Sequence, residues 1–489
     1  MSEQNLVFAT PESLGIPSQA ILDFLQDMKT YKIPLHSYLV MRHGKVAAEG
    51  YCKPYFDVNI KHRMYSISKS FTSVAIGLLI TEGRLSLTDK VADIFPEYIP
   101  ENPSPYILKA TVRDLLMMAV FNETGCYEWD TPDWVKCFFD NDKLKQMPGA
   151  IFHYDTNGTV VLCGIVEKIT GMKILDYMRP LFDALGISKD IWCVRSPDER
   201  SWTGSGILCT TRDLALFGQF CMQRGEWQGK QWVDRDYMIQ ATTKQINNYV
   251  AHPGTAVDGY GYQFWMEPDD GFACVGMGSQ YCMMYPKYDL VFVTTADAQG
   301  FSSSEDFVRY GIVSTLKHLS DEPLPENPEK LAQLREASNL VMPRTAGPAV
   351  SPIMEKVSGV KYAFDKNHWG FEWMKVDFED GKAILTYQKR GVVGSFPLYL
   401  GEFGSFLFPE KYAGKRIDIL DTNYRCISQA AWDSENTLVG TVYSVDDYLG
   451  LIKIQLTFIE DTLTVFATRW AENFFNDFRG YLPGRAVSE

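Results

Sequence analysis

Two hydrophobic periods run along this chain, and they change over at recognisable places. SQAILDFLQDMKTY sets its apolar residues at helical spacing, which predicts a helix capped by Ser18. HSYLVMRHGKVAAEGYC instead reads as two strands about a turn at His43-Gly44, with Tyr38, Val40 and Met41 on one limb and Val46 and Ala48 on the other. The helical period is clearest over residues 65–82, where Phe71, Val74, Ala75, Leu78 and Leu79 recur every three or four positions and Gly83 is a natural stop. TVRDLLMMAV, residues 158–170 and residues 210–224 predict further helices, the first capped by Thr111 and the last by Thr210 or Thr211. From 259 to 296 the text turns to strands: GYGYQFW, FACVG, YCMMYP and DLVFVTTAD. Residues 303–319 return to helix.

After residue 320 the composition shifts. DEPLPENPEK is acidic and rich in proline, a short helix (KLAQLREASNL) follows, and MPRTAGPAVSP completes a stretch that reads as a linker over 326–350. It divides a first domain, 1–325, from a second, 351–489. The second is built of short alternating runs, from KYAF and WMKVDFED to LIKIQLTFIED and TLTVFATRW, and predicts an all-β barrel or sandwich.

The chain has 489 residues, 46% apolar and 22% charged, the usage of an ordinary globular protein with ample core. Its net charge of −14 argues against nucleic acid and anionic membrane, both of which need a basic footprint. No apolar run approaches the ~20 residues of a membrane span. MSEQNLVFATPESLG lacks a basic segment followed by an apolar one, so a cytoplasmic protein is expected. The ten cysteines form no C-x-x-C pair and no zinc-ligand spacing with histidine; they read as reduced, buried, small apolar side chains. No H-E-x-x-H, P-loop or G-x-S-x-G occurs, so neither metal, organic cofactor nor an α/β-hydrolase elbow is expected.

The chemistry-bearing tetrad is Ser66-Ile67-Ser68-Lys69, at the first turn of the clearest helix. A residue at i+3 shares a helix face, so Lys69 can reach the Ser66 hydroxyl. A serine hydroxyl needs a base, and a lysine deprived of water can act as one. S-x-x-K recurs at Ser314/Lys317 and Ser358/Lys361, which read as structural positions. Spacing alone leaves the first occurrence open between a helix-start polar pair and a nucleophile with its base.

The surrounding text resembles a family. HSYLVMRHGKVAAEGYCKPY, HRMYSISKSFTSVAIGLLITEGRLSLTDKV, PGAIFHYDTNGTVVLCGIVEKITG, GSGILCTTRDLALFGQFCMQRGEWQGKQWV and GMGSQYCMMYPKYDLVFVTT, in that order over about residues 10–320, are similar to the penicillin-recognising serine hydrolases, specifically the class C β-lactamase-like esterases and amidases. The resemblance implies an α+β fold: an antiparallel sheet from both chain ends, a helical lobe between, and Ser66 at their cleft. It puts the family's first motif on Ser66 and Lys69 and its second on Tyr154-Asp155-Thr156, with Tyr154 a proton shuttle and Thr156 lining the substrate site. The third, usually Lys-Thr-Gly or His-x-Gly, falls on Gly276-Met277-Gly278. There Met277 N–H would join Ser66 N–H as oxyanion donors, and Gly276 and Gly278 would touch substrate. Threonine where many members have asparagine, and the missing motif cation, disfavour penicillin-like substrates.

The implied activity is hydrolysis of small esters, with amides or short peptides second, through an acyl-enzyme on Ser66. The expected partner is thus a small ester or amide. A D-amino-acid peptidase or weak β-lactamase, and an idle binding module of the same fold, are the alternatives. His153, beside Tyr154, reads as structural, and Asp213 as a helix-start carboxylate. Trp129, Trp134, Tyr260 and Trp265 are candidate walls of an acyl pocket, each more simply a core residue.

Overall fold

The computed structural model describes residues 6–120, 125–126, 130–141, 146–249, 258–298, 304–411, 423–446, 449–471 and 478–487. They fall into two compact units, the first ending at Val341 and the second beginning at Met342.

The first unit is organised by a seven-stranded sheet. Its strands are β1 (Val7–Phe8), β2 (Leu35–Arg42), β3 (Lys45–Tyr51), β4 (Trp265–Met266), β5 (Phe272–Gly276), β6 (Gln280–Tyr285) and β7 (Leu290–Ala296), in the order β1-β3-β2-β7-β6-β5-β4. Early and late segments therefore meet at the β2–β7 ladder, where Val40 faces Phe292. All its pairs are antiparallel except β1–β3. His43 and Gly44 both have positive φ, 52° and 68°, which is what a two-residue hairpin turn between β2 and β3 requires. Alternation along β2 feeds two cores. Tyr38 and Val40 pack with Phe24, Met28 and Ile312, from helices α1 (Ser18–Thr30) and Ser304–Leu316. Leu39 and Met41 belong to the larger core that holds the helical lobe.

At the centre of that lobe is α2 (Ser68–Thr81), buried continuously from Ser68 to Leu79. Such a helix is buried on every side because it has neighbours on every side, and its Ser70, Thr72 and Ser73 hydroxyls are hydrogen-bonded. The helices α3 (Val112–Leu116), α4 (Trp134–Asp140), α5 (Thr156–Thr170), α6 (Ile174–Leu185) and α7 (Thr211–Met222) share its core, and Phe71 stacks on Phe217 of α7 at 3.8 Å. Thr111 and Thr210 each close a capping box, with Asp114 and Asp213 respectively. Two local expectations change. Ser18 is the first residue of α1 rather than its cap; Pro17 precedes it, and the Glu12 carboxylate accepts the Ser18 N–H at 3.0 Å. GYGYQFW is strand only at its end, in β4. Gln263 has φ 65°, and a Cβ on Gly261 would lie 2.1 Å from the Ala241 carbonyl oxygen, so the segment is folded against its neighbours instead of extended.

Two buried histidines meet where β2 passes the short strand His62–Arg63. His36 stacks on Phe56 at 3.9 Å and lies 5.5 Å from His62, and among the described residues neither ring nitrogen of His36 has a hydrogen-bond partner. Burial lowers both, His36 well below its ordinary value and His62 to about 4. The unfolded chain protonates these rings near pH 6.5 while the folded chain resists, so their neutral burial is fully tolerated above pH 6.5 and opposes folding as pH falls towards 4. The His62 shift alone corresponds to about 3 kcal/mol across that window. Urea unfolding at pH 7 and 4.5 should show a large loss for wild type and a smaller one for His36→Phe; equal losses would rule His36 out as a cause.

The second unit is a ten-stranded antiparallel sheet of β8 (Lys361–Phe364), β9 (Phe371–Glu379), β10 (Lys382–Lys389), β11 (Val392–Tyr399), β12 (Gly404–Lys411), β13 (Asn423–Ser434), β14 (Thr437–Ser444), β15 (Gly450–Ile459), β16 (Thr462–Ala471) and β17 (Gly480–Ala486). The order is β11-β10-β9-β8-β17-β16-β15-β14-β13-β12. It nearly closes into a barrel, because β11 at one edge approaches β12 and β13 at the other: the Tyr399 hydroxyl donates to the Ser405 carbonyl of β12 at 3.2 Å, and Ser428 Oγ of β13 to the Pro397 carbonyl of β11 at 2.6 Å. Residues alternate in and out along β10, and Phe371, Phe396, Phe408 and Phe478 meet edge-on or tilted. A nearly closed barrel, rather than a sandwich, resolves the choice the strand pattern left open, and bringing the two edges together shields them.

Candidate active site

The stretch before α2 is a short strand, His62–Arg63, followed by a tight turn. Tyr65 takes φ 47°, a left-handed conformation disfavoured for an aromatic residue. Neighbouring bonds hold it there. Met64 N–H donates to the Ile207 carbonyl at 2.8 Å, and the Arg63 guanidinium stands 4.8 Å from both the Tyr65 and Trp202 rings while donating to the Ser205 carbonyl. The chain leaves this elbow as a single 3₁₀ turn, Tyr65–Ile67, and continues as α2. Ser66 is half-exposed there, whereas Met64, Tyr65, Ile67, Ser68 and Lys69 are buried.

Lys69 Nζ lies 3.0 Å from Ser66 Oγ and donates to the Gly204 carbonyl at 2.5 Å. It is also 5.1 Å from the centre of the Tyr154 ring. Serine and lysine from the head of α2 and tyrosine from the segment before α5 are thus brought to one place. The amine is 1% exposed. Burial is the larger influence on it and lowers its pKa to about 7; the charge of Asp155 opposes part of that shift.

Gly204 went unrecognised from the sequence, although it opens the GSGILCTTRDL block. Three bonds fasten its segment to α2: Ser68 Oγ accepts from Ile207 N–H at 3.0 Å, Thr72 Oγ1 donates to Thr203 Oγ1 at 2.7 Å, and Lys69 reaches Gly204 itself. Thr156, at the start of α5, presses on the same residue; a Cβ on Gly204 would come within 2.6 Å of Thr156 Cγ2.

Tyr154 precedes the α5 cap, Asp155, whose Oδ1 accepts from Asn157 N–H at 2.9 Å. The phenol ring stacks on Trp265 at 5.4 Å and meets Tyr260 edge-on at 6.4 Å. Trp265 is half-exposed, Tyr260 only 1% exposed. Trp134 is not a pocket wall: it lies in the core, edge-on to Trp202, filling the lobe. Trp129 lies outside the described residues. His153 is exposed and its backbone N–H donates to the Met118 carbonyl. Buried Gln263 ties the lobe together. It accepts from Thr159 Oγ1 at 2.7 Å and, through its carbonyl, from Ser70 Oγ at 2.7 Å, and donates to the Leu116 carbonyl at 2.9 Å.

β5 passes directly beside the serine turn. A Cβ at Gly276 would stand 2.3 Å from the Met64 carbonyl oxygen, so only glycine lets strand and turn meet. Met277, Gly278 and Ser279 form the turn into β6, with φ 79° at Gly278 and 68° at Ser279. Its carbonyls are held: Gln280 Nε2 donates to Met277 O at 3.0 Å, Ala298 N–H to Gly278 O at 3.1 Å. Ser358, of a further S-x-x-K, accepts from Phe378 N–H in the second unit. Among the described residues no helix is long and apolar enough to cross a membrane.

A buried amine on a half-exposed serine, at the start of the central helix beside a sheet edge, is the arrangement of the serine hydrolases that acylate themselves. A family model described as Beta-lactamase matches residues 23–317, and the chain belongs to that family. The 6-aminohexanoate-dimer hydrolase of Paenarthrobacter ureafaciens is 24% identical over 312 residues, covering 58% of this chain and 79% of the relative. The mitochondrial serine beta-lactamase-like protein LACTB of Homo sapiens is 33% identical over 104 residues, covering 16% of this chain and 19% of its own. A solved penicillin-binding protein homologue from Caulobacter crescentus superimposes with a TM-score of 0.52 at 15% identity, covering 64% of this chain and 99% of that one. The first unit therefore has the β-lactamase and penicillin-binding-protein fold.

Proposed function

We propose that the chain cleaves small esters or amides by acyl transfer, with Ser66 as nucleophile and Lys69 and Tyr154 moving protons. The supporting observation is the buried Lys69 amine 3.0 Å from Ser66 Oγ, its pKa lowered to about 7. At neutral pH a substantial fraction of such an amine is uncharged and can take the serine proton. Ser66 Oγ bonds to the substrate carbonyl carbon as its proton passes to Lys69 Nζ. The tetrahedral anion is held by Ser66 and Met277 N–H. It collapses with cleavage of the bond to the leaving group, which takes a proton through Tyr154. Water then adds to the acyl-enzyme, gives up its proton by the same route, and releases the acid and Ser66. Trp265, stacked on Tyr154, offers an apolar wall to the substrate. The Gly276–Ser279 turn has no cation, which favours uncharged acyl groups over penicillin-like ones.

The test is a fluorophosphonate probe read by intact mass and peptide mapping, with a short-chain nitrophenyl ester and, because a relative is named for it, 6-aminohexanoate dimer as substrates. One label per chain on Ser66 with ester turnover is expected; neither label nor turnover would give the idle-module reading the field. The acylation rate should rise with pH through about 7, since deprotonated Lys69 is the active form. A rate that first appears near 10, the range of free lysine, would exclude Lys69 as the base.

A further inference from the structure

We propose that Arg63 is a positioning residue of this site: its buried guanidinium braces the elbow of the serine against the turn whose carbonyl holds the lysine. The proposal rests on the acyl-transfer reading and names what keeps its nucleophile and base aligned. Arg63 is 1% exposed and lies on the short strand that pairs with Ile207–Cys209. Its contacts go two ways. Toward the nucleophile, the guanidinium carbon stands 4.8 Å from the centre of the Tyr65 ring, and Tyr65 is the left-handed residue immediately before Ser66. Toward the base, it stands 4.8 Å from the Trp202 ring, while Nε donates to the Ser205 carbonyl at 2.9 Å and Nη2 to Ser205 Oγ at 3.3 Å.

Trp202 and Ser205 bracket the turn that carries Gly204. Ser205 N–H and Gly206 N–H both donate to the Trp202 carbonyl, at 3.2 and 2.7 Å, and so close it. The Gly204 carbonyl within this turn accepts from Lys69 Nζ at 2.5 Å. An uncharged amine keeps two N–H bonds and one lone pair. With one N–H spent on Gly204, its rotation is set, and the lone pair can meet the Ser66 hydroxyl 3.0 Å away. The alignment therefore depends on where the turn stands relative to the serine. Ser68 and Thr72 tie the Gly204 segment to α2. Arg63 ties it to the residue that launches Ser66. A planar guanidinium suits the task, because it donates in a fixed fork and also meets aromatic rings.

Arg63→Gln deletes the fork and the charge and leaves a smaller planar donor. Removing a buried charge also relieves its desolvation, so a lower rate in the folded variant reads as lost placement. In the full chain, ester kcat and the fluorophosphonate labelling rate should both fall about 10²-fold, with KM close to wild type and the circular dichroism spectrum retained. Wild-type kcat, or a loss carried by KM alone, would overturn the proposal. If Arg63→Gln does not fold, Ser205→Ala decides: it removes only the contact at Oγ, and should lower kcat by a smaller factor at unchanged KM, whereas wild-type kcat there would overturn the brace. Lysine labelled with ¹³C at Cε, its Lys69 signal assigned by loss in Lys69→Met, reports the amine's surroundings without turnover. A wild type that is neither labelled nor active, but whose Lys69 signal moves in Arg63→Gln, would overturn acyl transfer and leave the brace standing; superimposable Lys69 signals would overturn the brace.

Discussion

Lys69→Arg is expected to lower ester turnover by about 10³–10⁴-fold, although it conserves charge and much of the side-chain length. A guanidinium stays protonated at any pH the fold survives, so it can occupy the space beside Ser66 Oγ and still not accept a proton. The loss corresponds to about 4–5 kcal/mol of transition-state stabilisation. Lys69→Met should be as inactive for a different reason. It fills the space of the lysine stem, offers no amine to take the proton and gives up the bond to Gly204. Because a buried ammonium is expensive to keep, the methionine variant should unfold no earlier than wild type. Steady-state kinetics and thermal unfolding on both variants decide the matter: retention of more than a tenth of wild-type turnover by either would remove Lys69 from the chemistry.

The second large effect is expected at Gly276, which carries no side chain to react. Adding one methyl puts a carbon 2.3 Å from the Met64 carbonyl oxygen and 3.0 Å from Gln280 Cβ. The first contact is with backbone, which cannot swing aside as a flexible side chain would. Either β5 or the elbow carrying Tyr65 and Ser66 must move by roughly an ångström. Overpacking of this kind costs about 1–3 kcal/mol of stability. A displacement of that size at a nucleophile costs about 10²-fold in rate. Gly276→Ala should therefore lower kcat about a hundredfold, leave KM close to wild type, and lower the melting temperature by a few degrees. Wild-type kcat with an unchanged melting temperature would show that strand and turn are not in the contact described.

These two sites also mark what could be read in the sequence. Ser66 and Lys69 were visible because their relation is local: three residues apart at the head of an apolar helix, a spacing that survives even though the first turn is 3₁₀ rather than α. The caps at Thr111 and Thr210 and the hairpin at His43-Gly44 were visible for the same reason. Gly204 was not, because its role is to offer a carbonyl, and every residue has one; only the position 135 residues away tells which is used. GYGYQFW alternated like a strand, but Gly261 and Gln263 are there to fit Ala241 and the Leu115–Leu116 carbonyls, contacts that no periodicity encodes. Trp134 is the core residue that its surroundings in the sequence made the simpler reading.

The meeting of β2 with β7 has a consequence for how the protein is made. Val40 pairs with Phe292, so the central ladder joins segments about 250 residues apart. Loop closure over such a span is entropically costly and kinetically late. A nascent chain still emerging from the ribosome has its serine and lysine long before it has the strand that braces their turn. On the acyl-transfer reading, catalysis would be deferred until at least residue 296 is free to dock, and a fragment released before that point should carry the motif without ester turnover.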